Sequence, residues 1–250
     1  MNHYLLTRAV YSPAAWPPEA NRRRLDLFRG VTVASLAAQT TKDWTWLLAV
    51  HPEDPLLLDR LVYAREAGVP VRTLPVPTVP THRPQAALLA YQAAWTTAMD
   101  LAAPRLMTRL DDDDAFTPDA FARLHSAVAH QPGRVRRLAW MFPVGVRVCG
   151  SRYAVVHHHS NAMHTLQVPA GDEWTVYTYR HRVVAEHVPV KEVDQRPAWL
   201  WLRHPDTLSG WKRAHRGLNA TVQRLFPAVD WDLLATLPAG EPRRGGTTFR

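Results

Sequence analysis

The sequence predicts an α/β protein built on a mainly parallel sheet flanked by helices. Strand and helix patterns alternate as β-α-β-α-β-α-β between Tyr4 and Leu110, and such alternation lays parallel strands side by side. The chain has 250 residues, 46% of them hydrophobic, enough for one large domain with its own core. Four acids, Asp111-Asp112-Asp113-Asp114, directly follow the last of these strands. In open α/β sheets that edge is where ligands bind.

Tyr4 to Arg8 reads as the first strand, and the Pro- and Ala-rich stretch 11–21 as a loop. Leu25, Phe28, Val31 and Leu36 then recur at helical spacing over Arg22 to Gln39, with Thr32 and Ser35 as a break or a second start. Asp43 to Val50 is the second strand, and Leu56 to Ala67 a helix stopped by Gly68. Val69 to Leu74 is the third strand. Four prolines between residues 75 and 84 exclude helix there, and Gln85 to Leu101, rich in Ala, Leu and Gln, is a strong helix former. The apolar run Arg105 to Leu110 is the fourth strand. Thr117 and Pro118 read as the N-cap and first position of the next helix. Farther on, Arg137 to Pro143 and Val144 to Val156 read as strands with a hairpin near Gly150. Ser160 to Leu166 reads as helical, and 211–234 as a helix pair around Phe226-Pro227.

Four adjacent carboxylates raise one another's pKa values unless cations relieve them. Hard carboxylate oxygens suit Mg²⁺ or Mn²⁺, held by one or two carboxylates plus substrate phosphates. A solvated acidic turn is the bland alternative. A calcium loop of the EF-hand type is disfavoured, because Phe116 stands where that loop needs glycine.

Leu110-Asp111-Asp112-Asp113-Asp114 resembles the Asp-x-Asp element of GT-A glycosyltransferases of the family 2 kind. The longer Thr108-Arg109-Leu110-Asp111-Asp112-Asp113-Asp114-Ala115 resembles their rhamnosyltransferase branch. Ser35-Leu36, Gln39-Thr40 and Asp43-Trp44 fall where that family has a matching element. Asn161 to Leu166, Trp174 to Tyr177 with His181, and Ala198 to His204 resemble later ones. The resemblance covers roughly residues 4–205 and weakens after His204. It implies a GT-A, Rossmann-like fold with a mixed acceptor-side half, organised as one domain over 1–240. Residues 1–116 would bind a nucleotide sugar, 117–240 would bind the acceptor, and 241–250 would be a mobile basic tail. It also implies an inverting, Mn²⁺- or Mg²⁺-dependent transferase using a UDP, GDP or dTDP sugar. Where many relatives carry an acid at the end of the second strand to read the nucleotide base, this chain has His51, with Glu53 and Asp54 just beyond.

Roles follow from that resemblance. Asp113 is the first choice for direct metal contact, with Asp111 on the ribose or on the metal through water. Asp112 would point into the protein, and Asp114 would hold the loop, since neighbouring strand residues face opposite ways. His204 is the candidate late ligand to metal or diphosphate, against a purely structural role behind Trp199 and Trp201. Thr7, Arg8, His51 and Arg109 are candidate donor contacts, the arginines alternatively serving as counter-charges for the acids. Asp172 and Glu173, the first acids after a long acid-free stretch, are candidates for the catalytic base, or else a polar turn. His157 and His159 alternate onto one face and could share a zinc ion, though no ligand spacing supports it.

Formal net charge is +8, and Lys42, Lys191 and Lys212 are the only lysines, so arginine supplies most of the positive charge. Residues 120–171 hold no acid, but six arginines and six histidines. An anionic acceptor is therefore expected, either a glycan or lipid-linked saccharide, or DNA carrying a hydroxylated base. Arg134, Arg136 and Arg137 would contact it, and Trp140 or Tyr153 would stack on a flipped base. A different class of reading is a non-catalytic nucleic-acid-binding protein, although no helix-turn-helix, zinc module or aromatic RNA-binding motif is legible. Cys149 is the sole cysteine, no apolar run approaches the roughly 20 residues of a membrane span, and the start lacks a signal-peptide pattern. The default expectation is cytoplasmic.

Overall fold

The computed structural model describes residues 1–9, 17–76, 84–159, 161, 163–179, 181–204, 216–217 and 219–237. The expected tail 241–250 lies outside them. Strands are numbered in chain order. The first sheet contains β1 (Asn2–Ala9), β2 (Thr45–Val50), β3 (Val71–Pro75), β4 (Arg105–Arg109), β6 (Leu138–Met141), β9 (Thr165–Val168) and β10 (Val190–Glu192). Its spatial order is β10-β6-β9-β4-β1-β2-β3. β1 pairs in parallel with both β2 and β4, and β2 with β3, while β9 lies antiparallel between β4 and β6. The parallel half is thus the one the alternating pattern predicts.

Strand alternation fixes what each face of this sheet carries. Leu5, Ala9, Trp46, Leu48, Val50, Leu106 and Leu110 pack on one side with Phe28, Val33 and Leu36, which follow α1 (Pro18–Leu27), and with Ala64 of α3 (Leu57–Glu66). Tyr4, Leu6, Leu47, Ala49 and Met107 pack on the other, against Trp95 and Met99 of the segment containing α4 (Pro84–Ala98). Between α1 and α2 (Ala34–Ala37) the helix does not break at Thr32 but widens into a π-helical stretch, Phe28–Val33. That widening turns the Thr32 hydroxyl onto the Asp114 carbonyl at 3.0 Å.

The second sheet contains β5 (Ala115–Phe116), β7 (Val144–Cys149), β8 (Arg152–His157), β11 (Trp199–Arg203) and β12 (Arg216–Gly217), ordered β12-β8-β7-β11-β5. β7 and β8 form the expected hairpin, turning at Gly150 with φ 52°. β5 follows the acidic loop and pairs antiparallel with β11. This pairing draws the end of β11, and His204 after it, alongside the four acids. Beneath this sheet, α7 (Ala220–Leu225) and α8 (Trp231–Thr236) flank Phe226-Pro227. Of the helix pair expected over 211–234, residues 216–217 are instead strand β12, because they pair with β8, and 211–215 and 218 lie outside the described residues.

Two local expectations are corrected. The helix after the acidic loop, α5 (Ala120–Ala129), begins two residues beyond Pro118. The Thr117 N–H bonds the Ala198 carbonyl at 2.8 Å, so Thr117 continues the β5–β11 ladder instead of capping a helix. Thr165 and Leu166 are not helical but belong to β9, because pairing with β4 and β6 fills the gap between them. The short α6 (Val184–His187) leads into β10.

Candidate active site

The acidic loop leaves β4 at the carboxyl edge of the parallel strands, and each of its acids has a different partner. Asp112 points inward and is buried. It accepts from Arg24 Nη2 at 2.6 Å and lies 3.5 Å from Arg60 Nη1. Asp114 is also buried: its Oδ1 accepts from the Leu202 N–H at 2.9 Å, which ties the loop to β11. Burial, then the neighbouring Asp113 and Asp111, push the Asp114 carboxyl well above the usual range. Asp111 is the most open, its side chain 30% exposed, and Arg109 grips both its oxygens at 3.1–3.3 Å. Burial raises its pKa, but Arg109, Arg8 and Arg24 outweigh that and bring it down to about 2. Asp113 directs Oδ2 at His204 Nε2, 3.0 Å away, and the same oxygen lies 3.7 Å from Arg24 Nη2.

The charges are therefore relieved from inside the protein. Arg60 also pairs with Asp54 at 3.4 Å, so one buried ionic chain runs Asp54–Arg60–Asp112–Arg24–Asp113–His204. It joins the turn after β2 to the Asp113–His204 pair. Neither Arg24 nor Arg60 was singled out from sequence. The signal was present: Arg24 occupies the buried stripe with Ala20, Phe28 and Val31, and Arg60 the stripe with Leu57 and Ala64. An arginine at a core position needs an internal counter-charge.

Arg8 and Arg109 leave the sheet on the α4 side, and each guanidinium lies 5.0 Å from the ring centre of Tyr177, Arg8 also 5.6 Å from that of Tyr91. Burial pushes the Tyr177 hydroxyl up to about 12 against the pull of these arginines, and it donates to the Leu6 carbonyl at 3.3 Å. Two guanidinium groups and one carboxylate, Asp111, thus meet at this corner. Thr7 leaves β1 on the opposite side and is fully buried, its hydroxyl accepting from Trp46 Nε1 at 2.9 Å. It has no route to a donor. His51 is buried at the end of β2, its Nδ1 accepting from the Glu53 N–H at 3.0 Å.

Other predicted contacts lie elsewhere. Asp172 and Glu173 follow β9 where it ends beside Arg105, the first residue of β4. Asp172 is held there by Arg137 at 2.5 Å, and its carbonyl accepts from Arg105. Six residues of extended chain, about 20 Å, separate Arg105 from Asp111, so neither acid is brought to the acidic loop. The expectation failed because β9 runs antiparallel and carries its following turn to the far edge. Arg134, Arg136 and Arg137 precede β6 at that same far edge, so they form no cationic face beside the acids. Arg123 and Arg147, from the same acid-free stretch, are buried; Arg123 pairs with Asp194 at 2.9 Å. Trp140 is buried, its Nε1 bonded to Gln167 at 2.8 Å, and buried Tyr153 accepts from Asn219 at 3.0 Å. Neither ring is free to stack on a base. His159 pairs with Glu192 at 2.9 Å.

In their place the fold brings His164 to the site, its carbonyl accepting from the Arg109 N–H at 3.1 Å. Burial, then Arg109 and His181, depress its imidazole to about 3. Arg203 is buried beside the acids and stacks on Trp201 with 3.7 Å to the ring centre.

Asp113 and His204 offer an oxygen and a nitrogen at one point, which fits Mg²⁺ or Mn²⁺ completed by phosphate oxygens. Among the described residues, no group of three or more His, Cys, Asp or Glu side chains is placed to hold a metal by itself.

The family model described as "Putative rhamnosyl transferase" matches residues 9–216. The chain belongs to that family. Among solved structures, this rhamnosyl transferase family member is similar to S. aureus TarS 1-349 in complex with UDP. Identity is 9% and TM-score 0.50, covering 82% of this chain and 61% of that one. S. aureus TarS 1-349 without that ligand in its name gives 6% identity and the same TM-score of 0.50, covering 81% and 60%. Mouse xyloside xylosyltransferase 1, apo form, gives 10% identity and a TM-score of 0.36, covering 57% of this chain and 53% of that one. At these identities the likeness concerns the fold, which is that of GT-A glycosyltransferases. The family member spans about three-fifths of the TarS 1-349 chains. No curated protein sequence matches it. No helix among its described residues is long and apolar enough to cross a membrane.

Proposed function

We propose that this protein transfers a sugar from a nucleotide-diphosphate donor to a saccharide acceptor with the help of Mg²⁺ or Mn²⁺. The observation that carries the reading is Asp113 Oδ2 facing His204 Nε2 at 3.0 Å, at the carboxyl edge of a GT-A sheet. Family membership and the fold shared with a UDP-bound glycosyltransferase support it.

Asp113 and His204 would hold the ion, which when bound offsets charge developing on the leaving diphosphate. Arg8 and Arg109 form the corner where a diphosphate would complete the charge balance, since two guanidinium groups there face one carboxylate. Asp111, half-buried beside Arg109, would take the ribose. His51 and Asp54, after β2, lie at the base end. With Asp172 and Glu173 at the far edge, we assign the acceptor proton to His181, whose charge acts on His164 next to Arg109. A net charge of +8 supports an anionic acceptor, and a saccharide is favoured over DNA because Arg134, Arg136 and Arg137 precede β6 at the far edge while Trp140 and Tyr153 are buried.

The test is thermal stability with UDP, GDP and dTDP, with and without Mn²⁺. One nucleotide should raise the melting temperature in a metal-dependent way. If none does, the donor reading is wrong. Glu173→Gln should keep parental turnover once the donor is found, and loss of turnover would restore that residue as the base.

A further inference from the structure

Arg24 stands out because its guanidinium serves two neighbouring acids unequally. Nη2 is 2.6 Å from Asp112 Oδ1 and 3.7 Å from Asp113 Oδ2. The second oxygen is the one that faces His204. Asp112 is held from its other side by Arg60, and Arg60 by Asp54, so Arg24 is fixed at the end of a buried chain. Its stem enters from α1, just before the π-helical stretch whose Thr32 grips the same loop.

A divalent ion on Asp113 Oδ2 would therefore arrive beside a fixed positive charge. With Arg8 and Arg109 at the next corner, the free protein already balances its acids with guanidinium groups. A cation entering alone adds charge to a site that is already neutralised. A cation entering with a diphosphate does not, because the phosphate oxygens offset both it and the arginines.

We propose that Arg24 is a positioning residue that makes divalent-cation binding at Asp113 conditional on the nucleotide diphosphate. It holds Asp112 and Asp113 in place in the free protein, and its charge keeps the bare ion off. This rests on the metal-assisted reading above, and it adds an order of binding: the ion enters with the donor, not before it.

The experiment measures Mn²⁺ binding by the loss of the free-ion electron paramagnetic resonance signal, using the full chain with Mn²⁺ alone and then with the nucleotide chosen by the thermal screen. The parent should bind Mn²⁺ alone at least tenfold more weakly than in the presence of nucleotide. Arg24→Met should bind Mn²⁺ alone at least tenfold more tightly than the parent, narrowing that difference. Arg24→Lys, which keeps the charge, should behave as the parent. Because Arg24→Met removes the 2.6 Å partner of Asp112 and leaves it Arg60, the uncharged but hydrogen-bonding Arg24→Gln is the second variant and keeps the comparison readable if Arg24→Met does not fold. Tight Mn²⁺ binding by the parent alone would overturn the proposal. So would Arg24→Met, or Arg24→Gln, binding Mn²⁺ alone no more tightly than the parent. If no nucleotide binds at all, the donor reading fails by itself, and the Mn²⁺-alone comparison still decides whether Arg24 keeps the ion off.

Discussion

Asp112→Asn and Asp113→Asn make the same chemical change one residue apart, and the structure predicts opposite outcomes. Asp112 lies between two buried guanidinium groups, Arg24 at 2.6 Å and Arg60 at 3.5 Å. Removing one partner of a buried ion pair costs about 3–5 kcal/mol. Arg60 keeps Asp54 at 3.4 Å and Arg24 keeps Asp113 at 3.7 Å, so the low end, about 3 kcal/mol, is expected. For a domain of this size each kcal/mol lowers the melting temperature by about 2–4 °C, giving a fall of about 6–12 °C. Asp113→Asn disturbs the 3.0 Å contact to His204 and the longer one to Arg24, which keeps Asp112 at 2.6 Å, so about 1.5 kcal/mol is at stake. It should leave the melting temperature within a few degrees. With nucleotide and Mn²⁺ at about 100 times the dissociation constant, binding adds about 2.7 kcal/mol. Asp113→Asn should lose that rise. Asp112→Asn should keep part of it, reduced because Arg24 is left without its first partner. Thermal unfolding with and without the ligands measures both effects. An Asp112→Asn variant that melts within 2 °C of the parent, or an Asp113→Asn variant that keeps the full ligand-induced rise, would refute the assignment of one acid to structure and the other to the ion.

Two further outcomes follow from the packing. His164 is neutral in the fold, held near a pKa of about 3 by burial and by Arg109 and His181, against about 6.5 unfolded. Between those values the unfolded chain binds more protons, so stability falls as pH drops from 6.5 towards 3, by up to about 1.4 kcal/mol per pH unit. His164→Gln should remove one proton's worth of that slope in denaturant titrations at several pH values; parallel slopes would count against it. His3, also held near 3 by burial and His125, stays behind and keeps the rest. At Gly145 an added methyl would sit 2.0–2.2 Å from ring atoms of the fully buried Trp199. Gly145→Ala should cost about 3 kcal/mol and weaken the nucleotide–Mn²⁺ response, because β7 pairs with the strand that carries His204. A melting temperature equal to the parent's would show that Trp199 can move.

The sequence by itself determined the parallel half of the fold and the place of the acidic loop. Both follow from local signals: apolar runs bounded by turn residues, helices between them, and four acids at a strand end. Within the loop, which is a turn and not a strand, Asp112 meets Arg24 and Arg60 while Asp113 meets His204, and those directions come from the folded turn, not from strand alternation. Tertiary structure decided the rest. Asp172 and Glu173 stand out in sequence because they end an acid-free stretch, but strand direction is not written locally. Only the antiparallel pairing of β9 with β4 shows that they lie at the wrong edge. Arg134, Arg136 and Arg137 failed for the same reason, because composition counts charges without saying which edge of the sheet they occupy. Thr7 and Arg8 differ by one residue, and only the packing of Trp46 on one face and Tyr177 on the other separates a buried hydroxyl from a site cation. Arg24 and Arg60 are 36 positions apart in the numbering and meet only across Asp112. A buried charge is balanced by whatever lies near it in space, and that proximity comes from the folded chain.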